Sequence, residues 1–252
     1  MVVALVVVGL VVGAISGFFG VGGGMILVPT LLALGIDIKS AIAISVVQMV
    51  FSSILGSYLN YKKGKLQVNE GIWVGVGGVL GGVIGAQFTD ILPERVLEYL
   101  LLFLVTFALI RVVTSKKPPQ GQGKKSFSKL TLFFIGFFIG IIAIMLGVGG
   151  SIMLTPILVG FLHFSTKEAA VAGLFFVVFS SISGLFYKIF SGTFENLNLD
   201  FTLALSVAVA SLIGVVIGIK LKDIIKDTHH KHSLIVLYLI ILALLIKKIF
   251  IG

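Results

Sequence analysis

Stretches of 19 or more residues without a charge recur along this chain, among them 40–61, 71–89, 169–187 and 201–219, and an uncharged stretch also runs from Met1 to Ile36. About 20 apolar residues is the length at which an α-helix crosses the hydrocarbon of a bilayer, whereas barrel strands are about half as long and alternate in polarity. With 58% hydrophobic and 12% charged residues and a mean hydropathy of +1.20, the chain carries more apolar surface than a soluble core hides. The expectation is an all-α, polytopic membrane protein.

Charge and composition then remove several function classes. The formal net charge of +9 lies in short loops between apolar spans, with no basic stripe interleaved with aromatics, so it orients the chain in the bilayer and nucleic acid is not an expected partner. There is no cysteine, and hence no disulfide or thiol chemistry. Met1–Val12 lacks a positive n-region and a following A-x-A-like site, and reads as a retained first helix. No H-E-x-x-H or G-x-S-x-G pattern occurs, and Gly20–Gly24 lacks the Lys-Ser/Thr of a Walker loop, so neither an enzyme nor a cofactor is expected. His229, His230 and His232 lack the companion acids or cysteines of a metal site, and none is assigned to metal.

The chain is a tandem repeat. Gly9, Gly13, Gly20, Val21, Gly22, Gly23, Leu27, Pro29 and Leu31 recur 127 residues later as Gly136, Gly140, Gly147, Val148, Gly149, Gly150, Leu154, Pro156 and Leu158. With one residue inserted, Phe51, Ser52, Ser53, Ile54 and Gly56 recur as Phe179, Ser180, Ser181, Ile182 and Gly184. The organisation expected is a first transmembrane repeat over 1–113, a basic linker over 114–128 and a second repeat over 129–252. The region around the linker, with one arginine, five lysines, two prolines and no acid from 111 to 129, is the strongest positive-inside signal and is expected in the cytoplasm.

Counting spans from that linker places 62–65 and 220–232 inside, and 90–95 and 189–200 outside. Corresponding loops fall on opposite faces, so the halves are expected to be inverted, with an odd number of crossings each. Each half offers three full spans and one glycine-broken pair. In the first pair the piece over 25–34 has about ten residues, too short to cross at 1.5 Å per residue, and a re-entrant hairpin is expected.

Inverted repeats with broken helices in matching positions are the pattern of secondary transporters, whose sites lie near the midplane. The breaks are Gly20, Gly22, Gly23 and Gly24 before a short helix starting near Met25, and Gly147, Gly149, Gly150 and Ser151 before one starting near Ile152. The first turn of each short helix presents unpaired N–H groups and partial positive charge, and glycine lets a ligand approach the backbone closely. A small anion answers both. Pro29 and Pro156 are expected to bend the short helices. Gly9-x3-Gly13 and Gly136-x3-Gly140 read as helix packing alone. Gln48 and Gln87 are amides inside uncharged runs, where an amide needs a partner; Gln48, Ser52, Ser53, Ser180 and Ser181 are expected to face the pathway, with interhelical or backbone hydrogen bonding as the alternative.

At "GFFGVGGGMILVPTLLALG" (17–35), "IMLGVGGSIMLTPILVGFL" (144–162), and "GGVIGAQF" (81–88) answered by "LIGVVIGIKL" (212–221), the chain resembles the sulfite exporter TauE/SafE family, also called the 4-toluene sulfonate uptake permease family. The resemblance spans essentially the whole chain. It implies a permease for a sulfur oxyanion such as sulfite, thiosulfate or sulfoacetate in the inner membrane, with the GVGG segments as ligand loops. Ser151 stands where the first copy has Gly24, so the half-sites are expected to differ. Without a membrane-buried carboxylate, export by alternating access is favoured; uptake would need a coupling H⁺ or Na⁺, and a homodimer is compatible with the sequence. An anion channel and a non-transporting scaffold are the alternatives.

Overall fold

A computed structural model describes residues 2–20, 22–66, 68–114, 128–161, 166–224 and 227–250. Val21 and linker positions 115–127 lie outside the described residues, as do the side chains of Pro156, His229 and His230. The described residues form eleven helices and no strand. They are α1 (Val2–Phe19), α2 (Gly24–Ala33), α3 (Ile38–Lys62), α4 (Val68–Ile91), α5 (Glu94–Thr114), α6 (Lys129–Met145), α7 (Ser151–Phe161), α8 (Thr166–Phe190), α9 (Thr193–Asn196), α10 (Phe201–Ile224) and α11 (Asp227–Phe250). Six of them, α3, α4, α5, α8, α10 and α11, contain stretches long and apolar enough to cross a membrane, three on each side of the linker. The short apolar pairs α1–α2 and α6–α7 precede each set of three.

The outer surface of the bundle is apolar, and several polar side chains are enclosed within its core. Val7, Phe103, Phe138, Ile213 and Phe250 face outward, while Ser16, Ser45, Gln48, Ser52, Asn60, Ser180 and Ser181 are fully buried. An apolar exterior, around an apolar core in which these polar groups are embedded, suits hydrocarbon as solvent. Of the two amides noted in the sequence, Gln48 is one of these interior groups and Gln87 lies on the outer face of α4.

Ionic contacts define the two ends of the bundle. At one, the lysine-rich end, Lys63 and Lys65 hold Asp223 at 2.7 and 2.6 Å, and Lys222 donates to Asn60 Oδ1 at 3.4 Å. At the other, the Asp90 end, Lys39 Nζ donates to the Asp90 carbonyl at 2.8 Å, and Thr193 Oγ1 to its carboxylate at 3.3 Å. Lys188 lies 3.6 Å from the same carboxylate. The start of α3 and the end of α8 therefore share one end, and these two helices run antiparallel.

Glycine stripes set the helix pairs. Gly9, Gly13 and Gly17 of α1 lie against Val207, Ser211 and Val215 of α10, in constant register, so the two helices run parallel. Gly77, Gly81 and Gly85 of α4 lie in the same way against Phe133, Phe137 and Ile141 of α6. In each case a β-carbon would collide with a carbonyl oxygen of the partner helix, which is how small residues let apolar helices approach. α1 thus enters from the Asp90 end, and α2 returns to that end, where α3 begins. α6 enters from the lysine-rich end, and α7 runs back toward the start of α8. α1 and α6 therefore run in opposite directions through the bundle.

Side chains cap two of the helix starts. Asp37, at the boundary before α3, accepts from the Ser40 N–H at 2.8 Å, and Asp37→Ala is expected to cost about 1 kcal/mol, seen as a lowered thermal midpoint in detergent. Asp200 serves the start of α10 by accepting from the Thr202 N–H at 2.8 Å; hydrogen bonds from the Thr202 side chain and backbone hold its carboxyl below the usual carboxylate range.

Candidate functional site

The turns between α1 and α2 and between α6 and α7 meet in the middle of the bundle, wedged between α3 and α8. Gly24 abuts the Gly147 carbonyl, and that same carbonyl accepts from Ser45 Oγ at 2.7 Å. Gly20 packs on Ala170 of α8, and Gly147 on Ile42 of α3. α2 begins at Gly24 and α7 at Ser151, each one residue earlier than the starts near Met25 and Ile152 read from the sequence. At Gly22 and Gly23 φ is +76° and +83°, a left-handed backbone that side-chain-bearing residues avoid, and this is what turns the chain sharply enough to start α2 in mid-bundle. Gly147 and Gly149 do the same at +64° and +69°. Both prolines fall inside the short helices, and Pro29 is buried.

The contacts of one tip recur at the other with the halves exchanged. Gly20 on Ala170 corresponds to Gly147 on Ile42, each partner 127 or 128 residues along. Gly24 against Ser45 corresponds to Ser151 against Gly173, so the serine moves from the long helix to the tip. Gly23 against Gln48 corresponds to Gly150 against Phe176. Beyond the Gly24/Ser151 difference, one tip faces an amide and the other an aromatic ring.

The amide half is the chemically open one. Gln48 is 0% exposed, and neither its Nε2 nor its Oε1 has a hydrogen-bond partner. A β-carbon at Gly23 would lie 2.6 Å from Oε1, so the amide sits directly on the backbone of the tip. No side chain caps α2 at Gly23, and the Ile26 and Leu27 N–H groups both turn back to the Gly23 carbonyl. The first turn of α2, with Met25 fully buried, presents a partial positive charge beside an amide that has a donor and an acceptor to offer. Ser52 Oγ reaches the Gly22 carbonyl at 3.3 Å and lines the same tip.

The other tip is internally satisfied. Ser151 Oγ donates to the Gly149 carbonyl at 2.9 Å, Met153 and Leu154 N–H groups return to Gly150, and Ile152 is buried. Ser180 is also buried, but its hydroxyl leans back on the Phe176 and Val177 carbonyls at 3.4 Å, and Ser53 leans back on Val50. Ser181, by contrast, has a buried hydroxyl with no partner. No group of three metal-ligating side chains exists among the described residues. Lys188, Lys222 and Asn60 were not singled out in the sequence, although repeat register places Lys188 opposite Asn60, 128 residues apart.

A family model described as sulfite exporter TauE/SafE matches residues 5–245. The chain belongs to the sulfite exporter TauE/SafE family. It is therefore a membrane transporter, a class that is not enzymatic. Among the relatives of this TauE/SafE member, a probable membrane transporter protein, YdhB of Bacillus subtilis, is 25% identical over 91% of this chain and 94% of its own length. The probable membrane transporter protein MJ0441 of Methanocaldococcus jannaschii is 24% identical over 89% and 88%. One of Haemophilus influenzae is 27% identical over 73% and 72%. No solved structure matches the chain.

Proposed function

We propose that this TauE/SafE member carries a small sulfur-containing anion, such as sulfite, thiosulfate, sulfoacetate or a similar organosulfonate, out across the inner membrane by alternating access. The observation that carries the reading is Gln48: a fully enclosed amide without partners, laid on the uncapped start of α2 where an anion finds N–H donors and partial positive charge. A site of backbone and amide donors without a fixed charge releases its anion as readily as it takes it up. The full burial of Gln48 suits a carrier rather than an open pore.

In this reading the halves are inverted in the membrane, with the hairpins entering from opposite faces and rocking about the α3–α8 seam. The lysine-rich end and the 114–128 linker face the cytoplasm by the positive-inside rule. A negative-inside potential then drives an anion outward, at about 2.3 kcal/mol per charge per 100 mV, and no coupling ion is required. Proteoliposomes loaded with sulfite are expected to release it faster than empty-membrane controls, selectively over chloride, when a potassium diffusion potential makes the lumen negative. Flux that appears only with an imposed proton or sodium gradient overturns uncoupled export, and single-channel currents in a planar bilayer overturn the carrier.

A further inference from the structure

The interior has a second unfinished polar group. Val177, Ser181, Gly184 and Lys188 recur on α8 at spacings of four, three and four residues and so share one face. That face begins at the tip, where Val177 packs on Gly22, passes the unpartnered Ser181 hydroxyl, and ends at Lys188 at the Asp90 end. Lys188 is 0% exposed, and its ammonium makes no hydrogen bond. The Asp90 carboxylate at 3.6 Å balances its charge but is too far to accept an N–H. Asp90 is itself occupied elsewhere: its second carboxylate oxygen accepts from Thr193 and its carbonyl from Lys39. An enclosed ammonium with three donors to spend and a single ion-pair partner at 3.6 Å has room for further acceptors, which an oxyanion would supply.

We propose that Lys188 is an anion subsite on the route between the central tips and the Asp90 end, and that the Asp90 carboxylate is a tethered stand-in that the transported oxyanion displaces. The inference rests on the anion-carrier reading above. The far end of the bundle supports it by register: Asn60, the counterpart of Lys188, accepts from the buried Lys222, so a lysine closes the α3–α10 seam there as Lys188 closes the α4–α8 seam here.

The two partners of a structural ion pair weaken the protein together when either is removed, whereas a subsite and its stand-in move anion affinity in opposite directions. Sulfite titrated into the purified full chain by calorimetry is expected to bind roughly tenfold more weakly to Lys188→Met, because a charge-assisted contact is lost. It is expected to bind several-fold more tightly to Asp90→Asn, since the competing carboxylate is gone. The double variant Lys188→Met/Asp90→Asn, neutral and of similar size, keeps the fold available if the single lysine variant fails to express, and is expected to bind as weakly as Lys188→Met. Wild-type affinity in all three, with the central variant Gln48→Leu still abolishing binding, overturns the subsite and leaves the carrier reading intact. Sulfite failing to bind the wild type overturns both.

Discussion

Gly13→Val is expected to remove the stable fold, or to lower stability by about 3 kcal/mol or more, the upper range of overpacking costs. A β-carbon at this position falls on the Ser211 carbonyl oxygen, and backbone cannot rotate away as a side chain can. The collision is reciprocated, because Gly214 and Gly218 of α10 press in the same manner on the Leu10 and Ala14 carbonyls of α1. Separating the helices to make room at one contact opens the whole stripe, and lipid tails supply no hydrophobic force to close it again. Gly81→Val, in the equivalent α4–α6 stripe against Phe137, should behave alike. The comparison is Gly64→Ala, where φ is +66° and nothing lies within 4 Å of the new carbon; backbone strain alone costs about 1–2 kcal/mol there. Heating each variant in detergent and following the monodisperse peak by size exclusion ranks them. Equal midpoints for Gly13→Val and Gly64→Ala would mean that the stripe does not hold the bundle together.

The glycines show how far a membrane sequence can be read. Spaced glycines such as Gly9 and Gly13 announce helix packing, and clustered ones such as Gly22 to Gly24 announce a broken helix, because only the second pattern abandons the helix altogether. The structure keeps that division. What the sequence does not disclose is helix rotation. In a soluble protein the polar face of a helix marks the outside, but lipid is as apolar as a core, so an apolar span has no such mark. Gln48 and Gln87 look equivalent as amides within uncharged runs, yet one lies on the glycine tip and the other on the outer surface. Ser180 and Ser181 likewise differ only in rotation: the first turns its hydroxyl back to its own helix, and the second is left without a partner. Lys188 escaped notice because it closes an uncharged run and resembles an interfacial lysine. Repeat register was the available signal, since it sets Lys188 opposite Asn60, and both turn inward.

The same rotation makes Gln48 the residue whose replacement separates a binding site from a structural contact. An enclosed amide with both polar atoms unsatisfied costs free energy in the empty protein, about 1–3 kcal/mol for each group. Leucine has nearly the same bulk and nothing to satisfy. Gln48→Leu is therefore expected to make the unliganded protein as stable as the wild type or more so, whereas removing an amide that bridges helices would destabilise it. The gain from ligand should vanish at the same time. Sulfite at 100 times its dissociation constant stabilises a binding-competent protein by about 2.7 kcal/mol, and the variant forfeits that increment. Gly23→Ala approaches the same site from the backbone side: at φ +83° the new carbon is strained by about 1–2 kcal/mol and lands on the Gln48 amide, which is a side-chain end and can be pushed aside. It should fold, with a lowered midpoint, and should lose the sulfite increment because the α2 start is blocked. Thermal unfolding of both variants with and without sulfite reads all four quantities. If Gln48→Leu unfolds at lower temperature than the wild type and still gains the full sulfite increment, the amide is a structural contact and the anion binds elsewhere.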